Sequence, residues 1–265
     1  MITKRLTSGK KIETEVIADL AFSVKEQLYK NVMDQFVETI KLPAEFLGIS
    51  EEINCSGYLV LKTIHNFNEY CEVISGKRTE DQCNTEICAL LSEISKLSEV
   101  YFNKKNLLLL TKIPEEEIFV NIERERFCYA FANLLLNAAE NTPKSGRVRI
   151  SVAKTQKFVK IIVGDNGFGM DEETLKNCFS PFYTKNNVPG KKKLGLGLTL
   201  AHRFAAENGG RMTVKSEIRK GTSVSMLLPI VQKDEKGLLM GSSVPDILGG
   251  KFSPIYIMLS GLEKD

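Results

Sequence analysis

The run Phe158-Val159-Lys160-Ile161-Ile162-Val163, followed after Gly164 by Asp165-Asn166-Gly167-Phe168-Gly169-Met170, decides how this chain is read. Its first half has the apolar character of a strand, and its second half is a carboxylate at a strand end followed by a glycine turn. Upstream, Arg147 to Ala153 sets Val148, Ile150 and Val152 on one face. Joined by the polar turn Lys154 to Gln156, the two segments read as neighbouring antiparallel strands. Further upstream, Glu123 to Thr142 reads as a strongly apolar helix closed by Pro143. It contains Ala130-Phe131-Ala132-Asn133-Leu134-Leu135-Leu136-Asn137-Ala138-Ala139. Downstream, a long loop with Gly and Lys leads into a helix over Leu196 to Asn208 that ends at Gly209-Gly210. Strands over Arg211 to Ser216 and Thr222 to Leu228 follow.

Working outward, Leu107 to Leu110 reads as a short strand. Thr85 to Asn103 reads as a helix with Ile87, Leu90, Leu91, Ile94, Leu97 and Val100 on one side. Helices on one face of a mixed or antiparallel sheet give an α+β fold, a two-layer α/β sandwich over residues 81–230. Ahead of it, Ile17, Ala21, Val24, Leu28, Val32, Phe36 and Ile40 recur every three or four residues in a helix from about Ile12 to Leu42, stopped by Pro43. Val60, Ile64, Phe67, Cys71 and Ile74 then follow the a/d repeat of bundled helices, ended by Gly76. At 1.5 Å per residue each helix is roughly 35 to 45 Å long. A two-helix hairpin over residues 1–80 is too thin to bury both faces, so it is expected to dimerise into a four-helix bundle. Lys77 to Asn84 reads as a linker. The tail, residues 231–265, holds one apolar run, Ile255 to Leu259, open to reading as a strand or a docking segment.

The 265 residues are 43% hydrophobic and 26% charged, which excludes disorder and disulfide-stapled mini-proteins. A net charge of +3 is far from the strongly basic balance of a nucleic-acid binder, so no nucleic-acid partner is expected. No run approaches the ~18 to 20 apolar residues of a membrane span, and Met1 to Lys11 lacks the apolar core of a secretion signal. The expectation is a cytoplasmic protein without a membrane partner. The six cysteines form no C-x-x-C pair and read as reduced, buried thiols. With only His65 and His202, zinc sites needing several imidazoles are excluded, and no P-loop string is present.

Three stretches remain that can carry chemistry. Asn133 and Asn137 lie four apart and share one side of an otherwise apolar helix. Their amide oxygens suit Mg²⁺, which takes one or two protein oxygens beside phosphate oxygens, and they equally suit the solvent side of an amphipathic helix. Asp165 at a strand end can accept from an exocyclic amine such as that of adenine, while Gly167 and Gly169 admit close approach; a plain strand-ending turn uses the same residues. Leu194-Gly195-Leu196-Gly197-Leu198-Thr199 opens a helix, where backbone amides can hold phosphates, with Lys191, Lys192 and Lys193 just before it. A lysine run is also ordinary solvated surface.

Their order adds what none gives singly. Asn133 and Asn137, then Asp165-x-Gly-x-Gly, then Phe179-Ser180-Pro181-Phe182-Tyr183-Thr184, then Gly195-x-Gly197 and Gly221-Thr222, resembles the ATP-binding (Bergerat) fold of DNA gyrase, the heat-shock chaperone, the MutL repair protein and histidine kinases. The phenylalanine box places the resemblance with the histidine kinases, over about residues 85 to 230. It implies that Asn137 ligates the Mg²⁺ bridging the ATP phosphates and that Asp165 binds the adenine amine. Gly167 and Gly169 would shape the adenine pocket, with Thr222 near the ring. Gly195 and Gly197, flanked by Leu196 and Leu198, would frame the phosphates. The segment from Phe179 to Lys193, with Tyr183, Lys185 and Lys193, would form a lid. Asn133 stands where the family's hydrolases carry a glutamate general base, which favours transfer to a side chain over hydrolysis.

Two departures bear on function. Lys193 replaces a further glycine. In the hairpin, Asp19-Leu20-Ala21-Phe22-Ser23-Val24-Lys25-Glu26-Gln27-Leu28 aligns with the family's phosphoacceptor segment and has Phe22 in the histidine's place. His65 on the second helix is then a weak candidate acceptor that reads as a solvated helix residue, and His202 reads as structural. The expected function is that of a dimeric, Mg-ATP-binding, histidine-kinase-like signalling protein, with a response regulator or another protein as partner. The alternatives are a non-catalytic ATP-gated regulator and an ATPase of the gyrase type.

Overall fold

The computed structural model describes residues 47–75, 82–185, 194–233, 253–260 and 262. The expected first hairpin helix with Phe22, and the lid segment 186–193 with Lys193, lie outside the described residues. The chain divides into two compact units, Met1–Glu80 and Asp81–Asp265.

The described part of the first unit is one long helix, α1 (Leu47–Ser75). Tyr58, Leu61, His65, Asn68 and Cys71 recur at three- and four-residue spacing and are buried, whereas Val60 and Ile74 are close to half exposed. This corrects the expected packing stripe of Val60, Ile64, Phe67, Cys71 and Ile74. The helix carries two apolar stripes a fraction of a turn apart, and the one through Leu61 is covered. His65 shares that stripe and is only 8% exposed, so it is not the solvated residue expected from its neighbours.

The second unit opens with a short antiparallel pair, β1 (Cys83–Glu86) and β3 (Phe119–Ile122). The linker expected to run to Asn84 is therefore partly strand, and helix α2 (Ile87–Lys104) begins two residues later than expected. Glu86 sets that start. Its carboxylate accepts from the backbone N–H of Cys88 at 2.9 Å and of Ile118 at 3.1 Å, satisfying a first-turn donor and tying α2 to the segment entering β3.

The main sheet runs β2-β4-β5-β7-β6, formed by Leu108–Lys112, Arg147–Lys154, Phe158–Asp165, Gly221–Pro229 and Arg211–Glu217. The β2/β4 pair is parallel and the others are antiparallel, so the sheet is mixed. Register places Ile150 opposite Val163 and Val163 opposite Val224, so the inward residues of three central strands form one apolar layer. Helices α2, α3 (Arg124–Glu140) and α5 (Gly197–Glu207) cover that layer. Between β5 and α5 stands a short helix the sequence reading missed, α4 (Glu172–Asn177).

Helix α3 is buried over most of its circumference, as an all-round apolar helix must be. Part of that cover comes from the tail. Ile255 to Leu259, left open between strand and docking segment, lies within helix α6 (Pro254–Leu259), which packs on α3 and α2. Ser253 caps it by accepting from Tyr256 N–H at 3.2 Å, and Pro254 occupies the first turn, where its missing N–H costs nothing. Ile255, Met258 and Leu259 join the core, and the Tyr256 ring meets Tyr101 of α2 edge-on at 6.1 Å. Cys88 and Cys128 are free and buried, and desolvation pushes their thiols up to about 11 and about 12, which leaves them unreactive.

Candidate functional site

Asp165 ends β5 at the centre of the sheet, beside the first residues of β7. One carboxylate oxygen, Oδ1, accepts from the Gly167 N–H at 2.9 Å and from the Thr222 N–H at 3.1 Å. These bonds fix the carboxylate's orientation and leave Oδ2 without a hydrogen bond among the described residues. Burial raises the Asp165 pKa above the ordinary aspartate value, and the two backbone donors pull the other way. The result is a partly desolvated acceptor with one oxygen held and one offered.

The turn that follows is set by backbone contacts. A Cβ on Gly167 would lie 2.0 Å from the carbonyl oxygen of Asn141, just past the end of α3. The neighbouring Phe168 N–H donates to that same carbonyl at 3.0 Å. Gly169 adopts a φ of +69°, a region glycine enters at little cost. Behind the carboxylate, Thr222 Oγ1 and Ser216 Oγ are 2.8 Å apart, and Ser216 Oγ accepts from Met170 N–H at 2.8 Å. Thr222 is thus locked from both its backbone and its hydroxyl.

Helix α3 brings the two asparagines to the same region, in unlike settings. Asn133 is 3% exposed; its Nδ2 donates to Tyr129 O at 3.1 Å, and its Oδ1 lies 2.5 Å from where a Cβ on Gly197 would stand. Gly197 therefore lets the start of α5 press against α3. Asn137, one turn on, is half-buried; its carbonyl accepts from Asn141, while its side-chain amide makes no hydrogen bond among the described residues. Gly195 has a φ of +70° and its carbonyl accepts from Phe182 N–H at 3.0 Å, with Tyr183 O only 2.7 Å from a Cβ placed on Gly195. Leu196 precedes α5 with no side-chain cap, and Leu198 packs partly into the core. The first amides of α5 consequently remain available to an anion. Lys185 is ion-paired with Asp171, whose Oδ1 also caps α4 by accepting from Thr174 N–H at 2.9 Å.

Asp165, Gly167, Gly169 and Thr222 are thus joined by contacts at one end of the sheet, and Asn133 meets Gly197 across the α3–α5 seam. Tyr183, Gly195, Leu196 and Leu198 gather at the start of α5, while Lys185 is directed to Asp171. Among the described residues no three His, Cys, Asp or Glu side chains cluster as a metal cage would require.

Residues 122–232 match the family model described as histidine kinase-, DNA gyrase B- and HSP90-like ATPase. Sporulation kinase D of Bacillus subtilis is 29% identical over 224 residues, which is 82% of this chain and 42% of that protein. Sporulation kinase E of the same organism is 33% identical over 148 residues, 56% of this chain and 19% of that protein. Residues 122–232 thus form a domain of the histidine kinase-, DNA gyrase B- and HSP90-like ATPase type, and the relatives they match include sporulation kinases. The chain spans less than half the length of these relatives. The fold agrees with that of full-length ShkA in complex with AMPPNP, at a TM-score of 0.68 and 20% identity over 83% of this chain and 46% of that one. The nucleotide-free catalytic domain of the histidine kinase ThkA matches at 0.50 and 25% identity, over 56% of this chain and 97% of that domain.

Three further residues stand in the contacts around this ATP-binding-type site, two of them unremarked in the sequence. Ser216 is one; nothing but its position opposite Thr222 marks it. Asp171 is another, and its place before Glu172-Glu173 carried a helix-start signal. The third is His202 on α5, read as structural, whose ring stacks on Phe179 with centroids 4.4 Å apart.

Proposed function

We propose that the chain binds Mg-ATP in this site and passes the terminal phosphoryl group to a protein side chain in a two-component-type pathway. The observation that carries the reading is Asp165, with Oδ1 fixed by two backbone donors and Oδ2 left to accept from the exocyclic amine of adenine. Thr222 holds that carboxylate in place. The Asn137 amide, half-buried and without a hydrogen bond among the described residues, fits a hard-cation ligand, and Mg²⁺ held there would neutralise charge on the phosphates. The uncapped start of α5, with Gly195 and Gly197, offers amides and the positive end of the helix dipole to phosphate oxygens. Tyr183, Lys185, Leu196 and Leu198 complete the phosphate side, with Lys193 assigned there from its place in the sequence. Asn133, a buried amide, takes no proton from water, so the site has no general base at that point and favours transfer over hydrolysis.

The partner we assign is a second copy of the chain, through the first unit, and a response-regulator type of protein beyond it. Leu59, Val60 and Ile74 are exposed apolar residues on α1 that a helical dimer would cover. We place the reaction in the cytoplasm; among the described residues no helix is long and apolar enough to cross a membrane.

A second reading, an ATP-gated regulator that transfers nothing, is favoured by Phe22 in the acceptor position and by the burial of His65. Incubating the purified chain with γ-labelled ATP and Mg²⁺, alone and with candidate receivers, separates the two. Acid-labile label on the chain or a receiver supports the kinase. Saturable nucleotide binding with no label on any protein supports the regulator.

A further inference from the structure

The segment that leaves α4 and returns to α5 is tied down at three described points. Lys185 pairs with Asp171 at the head of α4. Phe182 donates its N–H to the Gly195 carbonyl at 3.0 Å. Phe179 lies face-on against His202, with centroids 4.4 Å apart and planes 22° from parallel. The first of these is weak. Lys185 is half exposed, and a surface ion pair contributes little. Phe182 holds a φ of +61°, a left-handed conformation that is unfavourable for a bulky residue and persists only where its surroundings enforce it. The Phe179–His202 stack is the aromatic tie between this segment and the body of α5.

Burial and the neighbouring Arg203 lower the His202 pKa, so the ring stacks as a neutral imidazole. Phe179 packs on the apolar core as well. The stack therefore sets where the segment begins, and the Phe182–Gly195 hydrogen bond fixes where it crosses the start of α5. Loss of the imidazole face would loosen the start of the segment that carries Phe182 to the Gly195 carbonyl.

We propose that His202 is a positioning residue of the nucleotide site: stacked on Phe179, it clamps Phe179–Lys185 to α5 and thereby holds Gly195 and Tyr183 in place for the phosphates. The proposal rests on the Mg-ATP reading above. It assigns His202 no contact with nucleotide and no proton transfer.

The test uses the full chain and compares a non-hydrolysable ATP analogue, which engages the phosphate side, with adenosine, which does not. An aromatic pair of this kind contributes on the order of 0.5–1.5 kcal/mol, so His202→Ala is expected to weaken the ATP analogue roughly 2- to 12-fold. Adenosine affinity should stay within about twofold, and His202→Phe should restore the analogue's affinity by returning an aromatic face. Phe179→Leu, which keeps apolar bulk and removes the ring, should reproduce the His202→Ala split and covers the case in which His202→Ala fails to fold. Unchanged analogue affinity in His202→Ala overturns the proposal. So does an equal loss for analogue and adenosine, which would mark a merely structural residue. A wild-type chain that takes up no nucleotide sinks the Mg-ATP reading itself and this proposal with it.

Discussion

Replacing Asp165 by asparagine changes one oxygen to an amino group in a side chain held by two backbone donors. The Gly167 and Thr222 N–H groups bond to Oδ1, so the asparagine amide will turn its oxygen to them and present its NH₂ where Oδ2 stood. An acceptor for the adenine amine becomes a donor facing a donor. A hydrogen bond to a charged partner contributes about 1.5–3 kcal/mol, so ATP affinity should fall roughly 10- to 150-fold. Fold stability should move the other way. Burial raises the Asp165 pKa, so the folded chain holds this proton more tightly than the unfolded chain, and stability falls as pH rises above the unfolded aspartate value of about 4. At pH 7 the ionised, desolvated carboxylate is therefore a cost that asparagine removes. Asp165→Asn should melt at or above the wild-type temperature at pH 7, with any advantage shrinking toward pH 4. Calorimetric titration with an ATP analogue and melting curves at several pH values measure both. Wild-type affinity, or a lower melting temperature at pH 7 that recovers in acid, would refute the reasoning.

Three further expectations follow from particular contacts. Gly197→Ala drives a Cβ to within 2.5 Å of Asn133 Oδ1, and overpacking of this kind costs about 1–3 kcal/mol, read as a fall of several degrees in Tm. Adding Asn133→Ala should recover part of that loss, and strict additivity of the two would contradict the contact. Leu259→Ala should destabilise the second unit by about 2–5 kcal/mol in urea melts, because Leu259 is fully buried in α6; a change below ~0.5 kcal/mol would mean that α6 is not docked. Asn137→Ala should leave Tm nearly unchanged, since its side chain is half-buried and makes no hydrogen bond among the described residues, yet abolish the Mg²⁺ dependence of ATP binding. Retained Mg²⁺ dependence would remove Asn137 from the ligand set.

The sheet was legible because its central strands alternate cleanly: Val148, Ile150 and Val152, then Val159, Ile161 and Val163, are all buried. The residues that converge on Asp165 were legible for a different reason, the order of motifs along the chain. What escaped was short or two-natured. Phe119 to Ile122 spans four residues, too few to show a period, and β1 takes its strand character from pairing with it. Ile255 to Leu259 is an unbroken apolar run, which periodicity alone cannot assign; the capping pair Ser253-Pro254 was the readable signal for a helix. Helix α4 is six residues long and buries none of them, so it leaves no apolar stripe, and only its N-cap Asp171 announces it. His65 was misread because a histidine between Ile64 and Asn66 says nothing about which of two stripes on α1 is covered.

The central claim is that Asp165 reads the amine of adenine while the start of α5 receives phosphates, and ATP against GTP tests it most directly. The two carry the same triphosphate, but guanine presents a carbonyl where adenine presents its amine, so a fixed carboxylate acceptor faces another acceptor. Titrating the full chain with each nucleotide in Mg²⁺ should give saturable ATP binding and GTP binding weaker by at least roughly tenfold, the penalty of a buried polar group left unpaired. Equal affinities, or no binding of either, would contradict the account.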